Sequence, residues 1–179
     1  MSSLTPDDTL LGLLAANARH GYQLMDCFRD PAQLGEVWNL STSQLYAVLK
    51  RLSAQGFITG SEITSENAPT RTEYTLTPAG KKRLESWLHE ACPSASIRAV
   101  RVEFLSRLFV ARVLNIPTIP IVRAQKTVCN LKRTELGEQC KLMEPGIGFL
   151  ALELVIAQLD AVLQWIDRCE LVTKDLEDD

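Results

Sequence analysis

Signals that begin an α-helix recur along this chain of 179 residues, and they constrain its fold more than any other feature of the sequence. Thr5-Pro6 and Thr77-Pro78 each place a capping threonine before a proline that suits the first turn of a helix. Ser41, with Gln44 three residues later, forms a capping-box pattern. Apolar residues at helical spacing follow each signal. The chain is therefore predicted to be mainly α-helical.

The amino-terminal half predicts three helices followed by a β-hairpin. The predicted helices span about residues 5–17, 22–28 and 41–55, and the predicted strands span residues 57–64 and 70–76. Gly56 is expected to end the third helix in the left-handed conformation. Residues 65–69 have the composition of a turn, and a further helix is expected from Thr77 to about Glu90.

Three helices followed by a hairpin is the element order of a winged helix-turn-helix domain, in which the third helix enters the major groove of DNA. One face of the third helix is apolar, and the opposite face is small, polar or basic. On that face Ser43 and Gln44 offer hydrogen-bonding groups to base edges. Lys50 and Arg51 are expected to reach phosphates, and Arg71 lies near the tip of the hairpin, where a wing contacts DNA.

Several short motifs occur in order between residues 4 and 88. They are Leu10-Leu11-Gly12-Leu13-Leu14, His20-Gly21-Tyr22-Gln23-Leu24, Trp38 ahead of Leu40-Ser41, Gln44-Leu45-Tyr46, Leu49-Lys50-Arg51-Leu52, Gln55-Gly56-Phe57-Ile58 and Tyr74-Thr75-Leu76-Thr77-Pro78-Ala79-Gly80. In order and spacing these motifs resemble the amino-terminal domain of the PadR family of transcriptional regulators. The remaining helices resemble the dimerisation region of that family, with less specific motifs.

The resemblance implies a homodimeric winged-helix repressor that binds a palindromic operator in double-stranded DNA and is released by an effector. The residues predicted to contact DNA are Tyr22, Ser41, Thr42, Ser43, Gln44, Tyr46, Lys50, Arg51 and Arg71. The wing departs from the family pattern, because residues 67–70 at its tip lack glycine and basic residues and Glu73 precedes Tyr74. A weaker or more selective wing contact is therefore expected.

The carboxyl-terminal half predicts three helices, starting near Ser96, near Pro117 and after Pro145-Gly146. In the last helix, apolar residues recur at steps of three and four, which is typical of a coiled-coil seam. This predicted dimer interface consists of Phe149, Leu152, Ile156, Leu159, Leu163 and Ile166. A second apolar stripe on the same helix needs another partner, either intrachain or a second subunit. The expected domains are residues 1–92 for DNA binding and residues 93–179 for dimerisation.

The charge balance opposes the DNA-binding interpretation. Residues 1–92 hold 8 Lys+Arg and 10 Asp+Glu, whereas DNA-binding domains usually carry a basic excess. Modest non-specific affinity and a shallow salt dependence are expected. The alternative is a winged-helix dimer that acts as a protein-interaction module without binding DNA. A cluster of Trp87, Trp165, Phe104 and Phe109 would suit a small apolar or aromatic effector, but core packing is the preferred interpretation.

The sequence disfavours an enzyme, because it shows no nucleophile paired with a base and no phosphate-binding glycine loop. No metal or cofactor is expected, since there are two histidines and the five cysteines form no CxxC pair. The most apolar run, residues 146–157, contains Glu153 and is shorter than a membrane span, so no membrane partner is expected. The amino terminus does not resemble a signal peptide, which favours a cytoplasmic location.

Overall fold

The computed structural model describes residues 4–65 and 68–175 and, within them, the side chains of residues 4–64 and 71–170. The described helices are α1 (Asp7–Ala16), α2 (Gly21–Arg29), α3 (Thr42–Ala54), α4 (Pro78–Leu88), α5 (Ile97–Ala99), α6 (Leu105–Val113), α7 (Ile119–Lys141) and α8 (Ile147–Asp175). The strands are β1 (Arg19–His20), β2 (Ile58–Ser65) and β3 (Ala68–Leu76). The mainly helical prediction, with a winged helix-turn-helix order, is confirmed.

The chain divides into two compact units, and the first contains the residues through His89 together with Leu105–Ile116. Its central element is α1, which packs against α4 and α6. Leu10 and Leu11 are fully buried, and Gly12 lies directly against Val110 of α6, so a side chain at Gly12 would displace that valine. The first unit is therefore built from two separate stretches of the chain. The predicted division at residues 92 and 93 remains a proposal.

The start of α1 differs from the prediction. The helix begins at Asp7 with Pro6 in the capping position, and Thr5 makes no cap. The two acids of the first turn instead bind arginines from other helices of this unit: Asp7 accepts hydrogen bonds from Arg51 of α3, and Asp8 accepts them from Arg83 of α4. Acidic residues stabilise a helix amino terminus, and here they also join three helices.

The strands form one antiparallel sheet in the order β1-β3-β2. The predicted hairpin is confirmed, with Ile58 opposite Leu76 and a bulge between Ile63 and Ser65. Strand β1, which the sequence did not predict, adds a third strand by pairing with β3. Two residues are too few to show strand periodicity in a sequence. The predicted wing tip includes Asn67, which lies outside the described residues.

The second unit contains residues 90–104 and 117–179. Helices α7 and α8 pack along each other, and ion pairs join Arg133 to Asp160 and Lys126 to Asp167 at 2.9 and 2.6 Å. Ser96, near which a helix was predicted to start, caps α5 by accepting a hydrogen bond from the backbone amide of Ala99. A π-helical turn at Val100–Phe104 follows α5.

The seam predicted as the dimer interface lies partly inside this unit. Leu159 is 1% exposed and Ile166 is fully buried within the single chain, and the other four seam residues, Phe149, Leu152, Ile156 and Leu163, are half-buried. The prediction that Leu159 and Ile166 contact a second subunit is therefore corrected. A heptad pattern marks a face that packs against a helix, and α7 of the same chain supplies that helix.

The opposite face of α8 is exposed. Ile147, Leu150 and Leu154 have 84%, 58% and 61% of their surface accessible in the single chain. By length and composition, Ile147–Glu170 is apolar enough to cross a membrane. The ion pairs of Asp160 and Asp167 with α7 instead place charged groups along this helix, which suits a helix packed against protein.

Candidate nucleic-acid interface

The first turn of α3 is fixed by the predicted capping box. The hydroxyl of Ser41 accepts a hydrogen bond from the backbone amide of Gln44 at 3.2 Å, and the side-chain oxygen of Gln44 accepts one from the backbone amide of Ser41 at 2.8 Å. Gly56 adopts φ of 74° just beyond the helix, as expected for a glycine that closes it. Both ends of the candidate recognition helix are therefore well defined.

The two faces of α3 have the predicted characters. Leu45, Leu49 and Leu52 are fully buried. The α3 surface, which we define as the exposed residues on and around the opposite face, consists of Ser41, Thr42, Ser43, Gln44, Tyr46, Ala47 and Lys50. Its side chains are short or polar near the amino terminus and include a cation towards the carboxyl terminus. This distribution suits a helix whose first turns approach base edges while later residues reach the phosphate backbone.

Tyr46 joins α3 to α2. Its ring is 45% exposed, and its hydroxyl and Cε1 lie 2.7 and 2.8 Å from the position that a Cβ atom would occupy at Gly21. Gly21 is the first residue of α2, so the absence of a side chain there lets the tyrosine ring lie against the helix start. This position is compatible with packing at the edge of the core and with access to DNA.

Arg51 has a structural role that the sequence did not reveal. Its Nε and Nη2 donate hydrogen bonds to the two carboxylate oxygens of Asp7 at 3.1 and 2.6 Å, and Asp7 is 4% exposed. Two donors bound to a buried carboxylate hold the guanidinium on α1. The structure therefore gives Arg51 a structural contact, and its phosphate contact stays a prediction. Lys50 is the cation of this helix on the α3 surface.

Tyr22 and Arg71 lie together beside the outer part of the wing, where Arg71 pairs with Ile63 across the hairpin. Nη1 of Arg71 donates a hydrogen bond to the hydroxyl of Tyr22 at 3.0 Å, and the guanidinium carbon is 5.3 Å from the centre of the tyrosine ring. The ring of His20 is stacked against the same tyrosine, with 5.7 Å between ring centres. Both predicted DNA-contact residues are exposed. The structure thus brings a residue of α2 and a residue of β3 together.

Arg29 was missed by the sequence reasoning. It is exposed at the carboxyl end of α2, and its Nη2 donates a hydrogen bond to the hydroxyl of Thr42, the first residue of α3, at 3.2 Å. In a helix-turn-helix, the last turn of the second helix adjoins the first turn of the third, which is the signal that could have identified it. Within the described residues, no ion pair is found for Arg29, Lys50 or Arg71.

The cysteines and acids of the described residues form no cluster of three or more groups that could hold a metal ion. Burial raises the pKa of the Cys27 thiol, although Arg19, whose Nη1 lies 3.1 Å from the sulfur, opposes that shift. Burial likewise raises the pKa of Cys129. Such thiols are poor nucleophiles because they stay protonated, so these positions favour packing over redox chemistry.

One curated protein is similar in sequence to part of this chain. A negative transcriptional regulator PadR of Bacillus subtilis (strain 168) is 33% identical over 102 residues, which are 56% of this chain and 53% of that protein. The chain thus matches about half the length of this curated relative.

Solved structures of PadR proteins resemble the chain over more of its length. Bacillus subtilis PadR in complex with operator DNA is 25% identical and covers 93% of this chain and 96% of its own, with a TM-score of 0.46. The structure of Bacillus subtilis PadR in complex with p-coumaric acid is 22% identical and covers 94% of this chain and 95% of its own, with a TM-score of 0.42.

The family match covers the helices and strands that carry the candidate interface. Residues 10–86 match the Transcriptional regulator PadR-like family. This range includes most of α1, the whole of α2 and α3, the three-stranded sheet and most of α4. Over these residues, the chain is similar to the PadR-like family of transcriptional regulators.

Proposed function

We propose that this protein is a sequence-specific DNA-binding transcriptional regulator, in the form of a homodimeric repressor rather than an enzyme. The observation that carries the proposal is the exposed, capped α3 surface within a domain of the PadR-like family. A rigid helix with small and polar residues on its outer face has the shape and chemistry that the major groove requires. The relative from Bacillus subtilis, a negative regulator, supports repression as the direction of control.

The geometry of the capping box limits how Gln44 can read a base. Its side-chain oxygen already accepts a hydrogen bond from Ser41, so the side-chain nitrogen is the group that remains to donate. A donor in this position suits acceptors such as N7 and O6 of guanine or O4 of thymine. Ser43 supplies a hydroxyl one residue earlier, and Lys50 supplies charge for a phosphate two turns later.

The exposed apolar face of α8 is the proposed contact for the second subunit. It consists of Ile147, Leu150 and Leu154, and it replaces the buried members of the predicted seam. Beside this helix, an open groove of about 400 Å³ between α7 and α8 is lined by Phe149, Ile156, Ala157 and Cys140, among other residues. A two-fold symmetric dimer presents two copies of α3, which is why a palindromic operator is expected.

An effector remains part of the proposal, and a small planar aromatic acid is the class to test first. A related PadR of Bacillus subtilis has been solved with p-coumaric acid. Two of the four aromatic residues considered for an effector cavity, Phe104 and Trp165, contact each other edge to face, with 5.9 Å between ring centres. That contact supports the core-packing interpretation. A regulator of this family with no membrane partner would act in the cytoplasm.

The experiment that tests the proposal is selection of duplexes from a randomised library by the purified protein at two salt concentrations, with light scattering to count subunits. Enrichment of a palindrome bound by a dimer would support the regulator. Because few cations lie on the α3 surface, a shallow dependence of affinity on salt is expected. No enrichment at low salt would contradict the proposal and favour the alternative, a protein-interaction module, for which the acidic balance of residues 1–92 is the supporting observation.

A further inference from the structure

The hydrogen bond between Tyr22 and Arg71 links the wing to the helix-turn-helix. Arg71 belongs to β3, three residues after the start of that strand, and Tyr22 is the second residue of α2. A surface arginine side chain samples many rotamers, and fixing it in a complex costs conformational entropy. An anchor that restricts the side chain before DNA arrives reduces that cost.

The anchor is chemically suited to an arginine that must keep its charge. A phenol accepts a hydrogen bond without neutralising the guanidinium, whereas a carboxylate would cancel the charge that attracts a phosphate. The ring face also favours the cation, since the guanidinium lies 5.3 Å from the ring centre. No ion pair of Arg71 is found among the residues that the structure describes. The cation is held in place and still available.

Tyr22, which anchors Arg71, is held in place by the residues around it. The ring of His20 stacks on Tyr22, and Nδ1 of His20 lies 3.2 Å from the carbonyl oxygen of Thr72, the residue after Arg71. Strand β1 pairs with β3 through His20 and Glu73. The start of α2 and strand β3 of the wing therefore form one connected arrangement in which the position of Arg71 depends on Tyr22.

We infer that Tyr22 is a positioning residue that acts on DNA through Arg71, by fixing where the wing cation meets the phosphate backbone. The inference rests on the proposed function, and it replaces a direct contact of Tyr22 with DNA by an indirect one. Arg71 supplies the charge, and Tyr22 determines its place relative to α2 and thus to the adjoining α3. The poor wing tip, which lacks glycine and basic residues, makes this single cation the main wing contact among the described residues.

The test is a double-mutant cycle with Tyr22→Phe and Arg71→Gln, using the duplex that the wild-type dimer enriches from a randomised library. Tyr22→Phe should lower affinity about three- to tenfold, because the arginine must then be ordered on binding. Arg71→Gln should lower affinity and make the salt slope shallower by about 0.9 for each phosphate that the arginine neutralises. In the Arg71→Gln background, Tyr22→Phe should have no further effect.

Tyr46→Phe is the matched control, since it removes the same hydroxyl from the other exposed tyrosine of this domain, and its effect should add to that of Arg71→Gln. A second measurement needs no DNA: the NMR order parameter of the Arg71 Nε–H bond should fall in Tyr22→Phe. Additive effects of the Tyr22 and Arg71 substitutions, or an unchanged order parameter, would overturn the inference while leaving the function intact. Failure of the wild-type protein to enrich any duplex would overturn the proposed function, and the inference with it.

Discussion

Lys50 and Arg51 are adjacent cations on α3 with different surroundings. We expect Arg51 to contribute to the stability of the fold and Lys50 to contribute to DNA binding. Arg51 binds a carboxylate that is 4% exposed, whereas Lys50 is exposed on the α3 surface. In the sequence, both residues carry the same charge and lie on nearly the same face. The sequence could not show that Asp7, 44 residues earlier in the chain, would lie beside one of them. Long-range pairing of this kind depends on tertiary packing and leaves no local signal.

Arg51→Gln should therefore lower the free energy of unfolding by about 1–2 kcal/mol, because it leaves a buried carboxylate without its partner while Arg51 itself is 42% exposed. Lys50→Gln should change that free energy by less than about 0.5 kcal/mol and should weaken binding to the selected duplex. Urea denaturation and fluorescence anisotropy measure the two effects. If Arg51→Gln weakened binding with unchanged stability, Arg51 would be a DNA contact as the sequence predicted.

Gly21 allows the ring of Tyr46 to lie against the start of α2, and Gly21→Ala tests that contact. The added Cβ would lie 2.7 Å from the tyrosine hydroxyl, so the ring must move. Since the displaced atoms are the far end of a side chain, we expect a change in unfolding free energy within about 1 kcal/mol. DNA affinity should fall, because a residue of the α3 surface is displaced.

The control for this variant is Gly137→Ala, which adds the same methyl group to the middle of α7. The atom nearest to the added Cβ is Nη1 of Arg133, 4.0 Å away. Alanine also favours the helix more than glycine does. Stability should rise by up to about 1 kcal/mol with unchanged DNA affinity. Equal affinity of Gly21→Ala and wild type would show that the position of Tyr46 has no bearing on binding.

Helix α8 shows what the spacing of apolar residues predicts and what it does not predict. The spacing identified the helix and both of its apolar stripes. It could not tell which stripe faces α7 of the same chain, because a helix packs in the same way against an intrachain or an interchain partner. The exposure of Leu154 and the burial of Leu159 separate the two stripes. Similarly, α3 was predicted almost to the residue because its capping signals are local, whereas β1 was missed because it is short.

A matched pair of substitutions on α8 tests the proposed dimer contact. Leu154→Glu, at a position 61% exposed in the single chain, should give a folded monomer. Leu159→Glu, at a position 1% exposed, should lower the free energy of unfolding by more than about 3 kcal/mol, because it buries a charge. Light scattering and urea denaturation distinguish the outcomes. A Leu154→Glu protein that stays dimeric would exclude this face as the subunit contact.

For the molecule as a whole, buried thiols make stability depend on alkaline pH. Burial raises the pKa of Cys27 and Cys129 in the folded protein, while thiols of the unfolded chain ionise near pH 8.5, an approximate value for exposed cysteine. Above that pH, the folded protein binds more protons than the unfolded chain, so the free energy of unfolding falls as pH rises. The stabilisation that the two protonated thiols provide is fully present below the pKa of a cysteine in the unfolded chain.

Urea denaturation at pH 7 and pH 9.5 measures this dependence. The wild-type protein should lose stability between the two values, and a Cys27→Ala/Cys129→Ala protein should lose less, although its cavities lower stability at both. An equal decrease in both proteins would assign the alkaline effect to other groups. Cys169, whose pKa burial also raises, is the next candidate.

The first unit is built from two separate stretches of the chain, so one part of it is synthesised later than the rest. The nitrogen of the Trp38 indole donates a hydrogen bond to the hydroxyl of Ser106 at 2.7 Å, and Arg107 lies over the ring of Trp87, so α6 supplies part of the unit. A ribosome that has released His89 must add 27 more residues before Ile116 emerges. At about 5–20 residues per second, the first unit waits roughly 1–5 s for its last helix. During that interval, the apolar surface of α1 that α6 later covers is open to chaperones.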